Sequence, residues 1–373
     1  MTTPLASSPP SLSLIGANPA LLWGMTNAER LARLARAEGM TADPEATDTR
    51  LHVNLDYVFD PVWLRHVLAS PGMVVMDGDA LVMAHLPRSI APSADQIAAH
   101  RATLTIIDYR DGPLIYNRQL RKLDCPFIQR LTPATRREIE RRSYFGAYKG
   151  VTDLLTKYLW PELALVLTRI AAQLRMTPNM VSVIGVTLCL LATWLFAQGM
   201  YWTGFLSGFI FMVLDTVDGK LARCTITSSK WGNVIDHGVD LVHPPFWWYF
   251  WGTGLTYWGL ALSTQTFALV MAAVIAGYVL QRLIEGMFLK DFGMDIHVWQ
   301  RFDSQFRLIT ARRNPNMVIL FVSLLFGRPD IGLIALAWWT VISLIVHAVR
   351  LAQAYAVKRS GQPIVSWMEQ ARP

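Results

Sequence analysis

Asp215, Asp218, Asp236 and Asp240 are four carboxylates set in strongly apolar sequence. They fall in Asp215-x-x-Asp218-Gly219-x-x-Ala222-Arg223 and Gly232-x-x-x-Asp236-x-x-x-Asp240. Ionised groups in such surroundings are expensive and persist where function requires them. At about 3.6 residues per helical turn, Asp215, Asp218 and Ala222 share one face, and Gly232, Asp236 and Asp240 another. The short link Cys224–Trp231 lets the two helices run antiparallel with their acidic faces opposed. Such a cluster repels itself unless a cation sits in it. All-oxygen ligation suits a hard divalent ion, Mg²⁺ or Mn²⁺. Two other readings start from the same residues: a divalent-cation transporter whose acids bind the permeating ion, and buried ion pairs that use Lys220 and Arg223.

The elements that must position these acids belong to a membrane protein with a soluble portion. The 373 residues are 53% hydrophobic and only 16% charged, with a mean hydropathy of +0.30. The net charge of +7 is no nucleic-acid signal. The arginines sit beside apolar segments, where they orient the chain and meet anionic lipid headgroups. Cys125, Cys189 and Cys224 form no C-x-x-C pair, so neither a cysteine metal site nor a disulfide framework is expected. The Ser- and Pro-rich N-terminus lacks the basic start of a signal peptide, and residues 1–10 are expected to be disordered.

Residues 11–130 predict a small cytoplasmic α/β domain. Ser11–Ile15 reads as a strand, and Thr26-x-x-Glu29 as a capping box opening a helix over Ala28–Ala37. Met73–Met76 and Ala80–Met83 flank Asp77-Gly78-Asp79, and Thr103–Ile107 and Leu114–Tyr116 flank Arg110-Asp111-Gly112; both read as hairpins. Residues 131–176 form a basic linker and an amphipathic stretch, Val151–Leu174, broken at Pro161. Tyr158, Trp160, Lys157 and Arg169 suit a helix lying at the membrane interface, with packing on the soluble domain as the alternative.

Six membrane spans are expected within residues 177–355, with a cytoplasmic tail over 356–373: Met180–Ala197, Tyr201–Leu221, Val234–Trp258, Thr266–Met287, an extended Met317–Phe326, and Ile331–Val349. Lys230 lies in one loop, and Lys290, Arg301, Arg307, Arg312 and Arg313 in another on the same side. The positive-inside rule then places both termini and the mouth of the acidic motif in the cytoplasm. The acids cluster near that face, whereas a transporter would spread them towards the midplane.

The motif resembles that of the CDP-alcohol phosphotransferase (CDP-alcohol phosphatidyltransferase) family, D-x2-D-G-x2-A-R-x8-G-x3-D-x3-D, at every fixed position. The resemblance covers about Tyr144 to Arg350 and argues against a catalytically silent scaffold. It implies transfer of a phospho-alcohol, phosphatidyl or polyol phosphate, from a CDP-alcohol to an acceptor hydroxyl with release of CMP, in phospholipid or inositol-phosphodiester synthesis. It implies Asp215, Asp218, Asp236 and Asp240 as ligands of a pair of metal ions, two Mg²⁺ or Mn²⁺, with Asp240 also the candidate base. Asp215, Gly219, Ala222, Arg223 and Gly232 would hold the CDP-alcohol, with Asn179 of a Thr177-Pro178-Asn179 entry motif beside them. Arg307, Arg312 and Arg313 suit a phosphate on the acceptor, with anionic lipid as the alternative. Lys220 reads as interfacial, and His237 and His243 as core residues. A homodimer in the inner membrane is the family expectation. Some members carry an N-terminal nucleotidyltransferase-like domain, as in fused inositol-1-phosphate cytidylyltransferase / di-myo-inositol phosphate phosphate synthase proteins. Leu14–Ala20 and Leu55–Asp60 resemble that domain faintly. The loop Gly16–Ala20 has one glycine and no charge, which implies a degenerate, non-catalytic version.

Overall fold

The computed structural model describes residues 10–40, 48–112, 114–228 and 230–370, with side chains described over the same ranges except 230–237 and 370. The disorder expected over residues 1–10 thus lies, apart from Pro10, outside the described residues. The N-terminal part runs β1 (Ser11–Ile15), β2 (Leu21–Leu22), β3 (Met25–Thr26), α1 (Asn27–Ala37), β4 (Thr49–Asn54), β5 (Tyr57–Phe59) and α2 (Pro61–Leu68). It continues through β6 (Met73–Asp77), β7 (Ala80–Pro87), α3 (Ala94–Ala99), β8 (Thr105–Asp108), β9 (Ile115–Asn117), β10 (Lys122–Asp124) and β11 (Ile128–Arg130). Helices follow: α4 (Arg136–Gly146), α5 (Pro161–Gln173), α6 (Pro178–Ala197), α7 (Tyr201–Cys224), α8 (Lys230–Gly254), α9 (Thr264–Phe292), α10 (Arg301–Phe306), α11 (Arg313–Leu325), α12 (Pro329–Arg359) and α13 (Trp367–Gln370).

A five-stranded mixed sheet, ordered β1-β4-β7-β6-β8, organises the N-terminal region. Strand alternation sends Leu51, Val53, Val75 and Met83 towards Leu31 and Leu34 of α1 and Trp63 of α2. Val74, Ala84 and Leu86 pack instead with Ile97 of α3 on the other face. The Thr26–Glu29 capping box opens α1, since Thr26 Oγ1 accepts from the Glu29 amide and Glu29 accepts from that of Thr26. The Asp77-Gly78-Asp79 turn joins β6 and β7 antiparallel.

The second expected hairpin does not form. Asp108 accepts hydrogen bonds from the amides of both Arg110 and Gly78, which starts a 3₁₀ turn over Tyr109–Asp111. The chain is thereby diverted: β8 lies parallel to β6, while β9 pairs with β10. Gly112 is needed there, because a Cβ would fall 2.9 Å from the Trp63 ring and 2.8 Å from the Tyr109 carbonyl.

Three helices, α6, α9 and α12, are long and apolar enough to cross a membrane. α7 and α8 are of comparable length but carry the motif's charges. α11 covers the fifth expected segment with 13 residues, about 20 Å at 1.5 Å per residue. The amphipathic stretch resolves into a π turn over Leu155–Leu159 and then α5. Leu163, Val166 and Ile170 of α5 are exposed, as is Leu174 at its C-cap. Trp160 corrects the interfacial expectation: it is 1% exposed, and its Nε1 donates to Thr216 Oγ1 of α7. The tail turns back as α13, with Ser366 Oγ donating to the Val298 carbonyl and Arg118 paired with Glu369.

The N-terminal region meets the motif link directly. Arg33 of α1 donates to the Thr225 carbonyl at 2.7 Å. Ile226, held at φ +54°, packs against the core beneath α1.

Candidate active site

α6 packs against both α7 and α8, the two helices of the motif. At their first contact Ser182 Oγ of α6 donates to Asp218 Oδ2 at 2.5 Å. The other oxygen, Asp218 Oδ1, is buried with no hydrogen-bond partner. Arg313, first residue of α11, joins α7 to α8: its Nη2 lies 2.6 Å from Asp215 Oδ2 and its Nη1 2.5 Å from Asp240 Oδ1. One guanidinium therefore spans two of the motif's carboxylates. Asp215 is the more enclosed, with 18% of its side chain exposed against 43% for Asp240. Gly232 and Asp236 fall in the stretch of α8 whose side chains lie outside the described residues, as does His237.

The backbone at Asp240 has its own support. Pro244 and Pro245 lie within α8. Lacking amide hydrogens, they cannot donate to the carbonyls four residues earlier, those of Asp240 and Leu241. Tyr278 of α9 takes over both, its hydroxyl lying 3.3 Å from Asp240 O and 3.0 Å from Leu241 O. His243 packs its ring against Phe211 and Trp247, as a core residue does.

Asp218 lies with Ser182 and Asp215 in a small pocket, while Asp215, Gly219, Arg223 and Asp240 of the motif line a larger cavity of about 500 Å³. Its remaining wall is strongly cationic: Arg121, Lys149, Lys220, Arg282, Arg307 and Arg312 line it with Arg313. Lys220 is no interfacial residue. It is 2% exposed, and its Nζ sits 3.0 Å from the Tyr148 ring centroid and 5.5 Å from that of Tyr144. Burial raises the Tyr148 phenol to about 12, so the ring faces Lys220 as a neutral donor of π density.

A second charged cluster occupies the same cavity wall. Glu285 accepts from Arg282 at 2.8 Å and from Arg312 at 2.5 Å, with His297 Nε2 at 3.3 Å. Arg307 is 8% exposed, and its Nε and Nη1 have no hydrogen-bond partner. Burial pushes its guanidinium well below the usual value, and nearby Arg312 adds to this while Asp153 opposes it. Burial acts to raise the Asp153 carboxyl, but Arg307 and the Thr156 amide hold it below the ordinary value. Asn179 is exposed in the first turn of α6 and does not line the cavity.

The donor set fits a divalent cation at the motif. Asp218 offers a buried oxygen that nothing else uses, and Asp215 and Asp240 converge on a single positive group. Glu285, His297 and His347 also bring ligand atoms within 4.8 Å of one another. There, however, Arg282 and Arg312 already neutralise the only carboxylate, and a metal ion would face both guanidinium groups.

Sequence spacing located the acids, and the one-turn separation of Arg282 and Glu285 points to their ion pair, but Ser182, Asp153, Tyr148, Tyr278 and the joining of Arg312 to Glu285 were missed. Arg313 was read with the acceptor-phosphate arginines, whereas it contacts Asp215 and Asp240. The Pro244-Pro245 pair is the one sequence signal that could have pointed to Tyr278, because it frees carbonyls that some donor must meet.

Residues 175–302 match the family model described as CDP-alcohol phosphatidyltransferase. Cholinephosphotransferase 1 of Gallus gallus is 34% identical over 127 residues, which are 31% of this chain and 36% of that protein. Archaetidylinositol phosphate synthase of Pyrococcus horikoshii is 28% identical over 184 residues, 48% of this chain and 86% of that protein. The chain thus spans about a third of the avian relative and most of the archaeal one. Proteins of this family generally use divalent metal ions. With three apolar helices of spanning length, the chain reads as an integral membrane protein.

Proposed function

We propose, from the premise that residues 175–302 are a CDP-alcohol phosphatidyltransferase domain, that this protein transfers a phospho-alcohol from a CDP-alcohol to an acceptor hydroxyl and releases CMP. The observation that carries the reading is the composition of one cavity, which joins motif carboxylates to an arginine-rich wall. Asp215, Asp218, Asp236 and Asp240 would hold the divalent ions, two Mg²⁺ or Mn²⁺. When bound, these supply charge neutralisation on the pyrophosphate. Gly219, Ala222, Arg223 and Gly232 would seat the donor, where a side chain at Gly219 would come 3.1 Å from the Arg223 guanidinium.

The acceptor oxygen attacks the phosphorus that bears the first alcohol, and the bond from that phosphorus to the CMP oxygen breaks. CMP leaves with the electron pair, and the acceptor's proton passes to the Asp240 carboxylate, which is the more open of the two acids on Arg313. Arg313 holds Asp215 and Asp240 in place. Arg307 and Arg312 favour an acceptor that itself carries a phosphate, such as a phosphorylated polyol, since Arg307 has two donors without partners in a buried wall. Asn179, exposed in the first turn of α6 and outside the cavity lining, is not part of this donor seat.

The same reading places six spans in the bilayer of the inner membrane, both termini and the cavity mouth in the cytoplasm, and two copies in a homodimer. The N-terminal region would be a degenerate nucleotidyltransferase-like domain. In support, its first loop is braced rather than open, with Asn18 donating to both Asp56 and the Leu131 carbonyl, and Asp60 is used as the N-cap of α2.

The test is CMP release by purified protein with Mg²⁺ or Mn²⁺, pairing CDP-diacylglycerol or CDP-inositol with polyols and their phosphates. Acceptor-dependent CMP supports the reading. Donor binding and CMP release both absent across the panel would overturn it and favour ion transport or a silent scaffold.

A further inference from the structure

A second cavity, of about 270 Å³, lies between the α/β region and the C-terminal ends of α4 and α7, and of the residues assigned to the transfer reaction only Arg223 lines it. Arg30 and Leu34 of α1, Asp60, Phe127, Arg223 of α7 and Ile226 line it. Arg30 is 3% exposed. Its Nη2 donates to the Phe59 carbonyl at 2.7 Å, and its Nη1 has no hydrogen-bond partner. A buried guanidinium donor without an acceptor costs free energy until an anion or water meets it. Neighbouring acids do not meet it: Asp60 Oδ1 accepts from the Val62 amide, and Glu38 is paired with Arg65 at the rim. Burial lowers the Arg30 guanidinium to about 10, with Asp60 opposing, so the group remains cationic at neutral pH.

The geometry points to this cavity as a binding site for a small phosphate monoester, its phosphate on Arg30 and its body against Leu34, Phe127 and Ile226. Three arginines, Arg30, Arg65 and Arg223, line it from α1, α2 and α7, which suits a doubly charged phosphate better than a single carboxylate. Because Arg223 lines this cavity and the acidic one alike, occupancy here is felt by a motif residue. That kinetic consequence rests on the proposed transferase reading; the binding itself does not.

The experiment measures binding of inorganic phosphate and of glycerol phosphate to the full chain in detergent, by ³¹P NMR titration. Wild type is compared with Arg30→Met, Ala147→Leu and Arg307→Met. Ala147 also lines the second cavity, and its enlargement fills the space while leaving Arg30 and the Phe59 contact intact. Arg30→Met and Ala147→Leu should each weaken one class of site by about tenfold or more, the loss expected for one charge-assisted contact. Arg307→Met should leave that class unchanged. Glycerol phosphate binding above inorganic phosphate would identify a monoester; equal binding would reassign the ligand to free phosphate and overturn the monoester assignment. If Arg30→Met fails to fold, Ala147→Leu decides: unchanged binding in that variant overturns the site. CMP release, followed in the same preparations, separates this failure from failure of the transferase reading.

Discussion

Two charged clusters line one cavity with opposite arithmetic. At Arg313, one guanidinium is shared by two carboxylates, and Asp218 nearby keeps a buried oxygen without a hydrogen-bond partner. At Glu285, one carboxylate is shared by two guanidinium groups, and the unsatisfied atoms nearby are nitrogens of Arg307 and Arg312. The first cluster is short of positive charge and the second short of negative charge. A buried ion pair is weak evidence for stability, but an unbalanced one indicates what must arrive to complete it. The proposed function reads that difference as a place for a cation on the motif side and for an anion on the other.

The comparison breaks most severely if the deficit of positive charge is removed. Asp218→Asn should lower CMP release by about 10³-fold, the upper range for loss of one electrostatic stabiliser, and should weaken Mn²⁺ binding measured by electron paramagnetic resonance. Normal Mn²⁺ binding in that variant would remove Asp218 from the site. Arg313→Met leaves two carboxylates without their shared partner and should cost about 10²-fold in kcat. Arg313→Lys should recover only part of this, since a single ammonium cannot reproduce the two-armed contact.

On the other side, Arg307→Met should raise KM for a phosphorylated acceptor about tenfold while leaving the donor KM unchanged. An equal effect on a neutral polyol would mean that Arg307 supports the fold instead. Tyr278→Phe frees the Asp240 and Leu241 carbonyls and should reduce kcat a few-fold, with a stability loss of about 1 kcal/mol in thermal unfolding. The smallest effect is expected at the edge: Arg33→Ala removes the contact to the Thr225 carbonyl, at about 1 kcal/mol or less for its exposed fraction.

The motif was legible because its information is local. Fixed gaps within single helices set which acids share a face, and the capping box at Thr26 and the turn at Asp77–Asp79 are likewise settled by residues a few positions apart. What escaped depends on distant partners. Arg313 lies 98 residues from Asp215 and 73 from Asp240, so no spacing rule connects them. The Arg110-Asp111-Gly112 segment carries the composition of a hairpin loop. Its fate was decided by Asp108 capping a turn against Gly78, a contact across 30 residues. Trp160 and Lys220 had interfacial composition, yet Thr216 and Tyr148 provide each with an interior partner. Side chains with both apolar and polar parts are read correctly only once their neighbours are known.

The most direct test of the two-sided cavity is CMP release from CDP-diacylglycerol with glycerol phosphate and with glycerol as paired acceptors, in wild type and in Arg307→Met. The account predicts that wild type prefers the phosphorylated acceptor and that the variant loses that preference while retaining turnover with excess acceptor. Equal use of both acceptors by wild type, or a preference unchanged by the substitution, would contradict it.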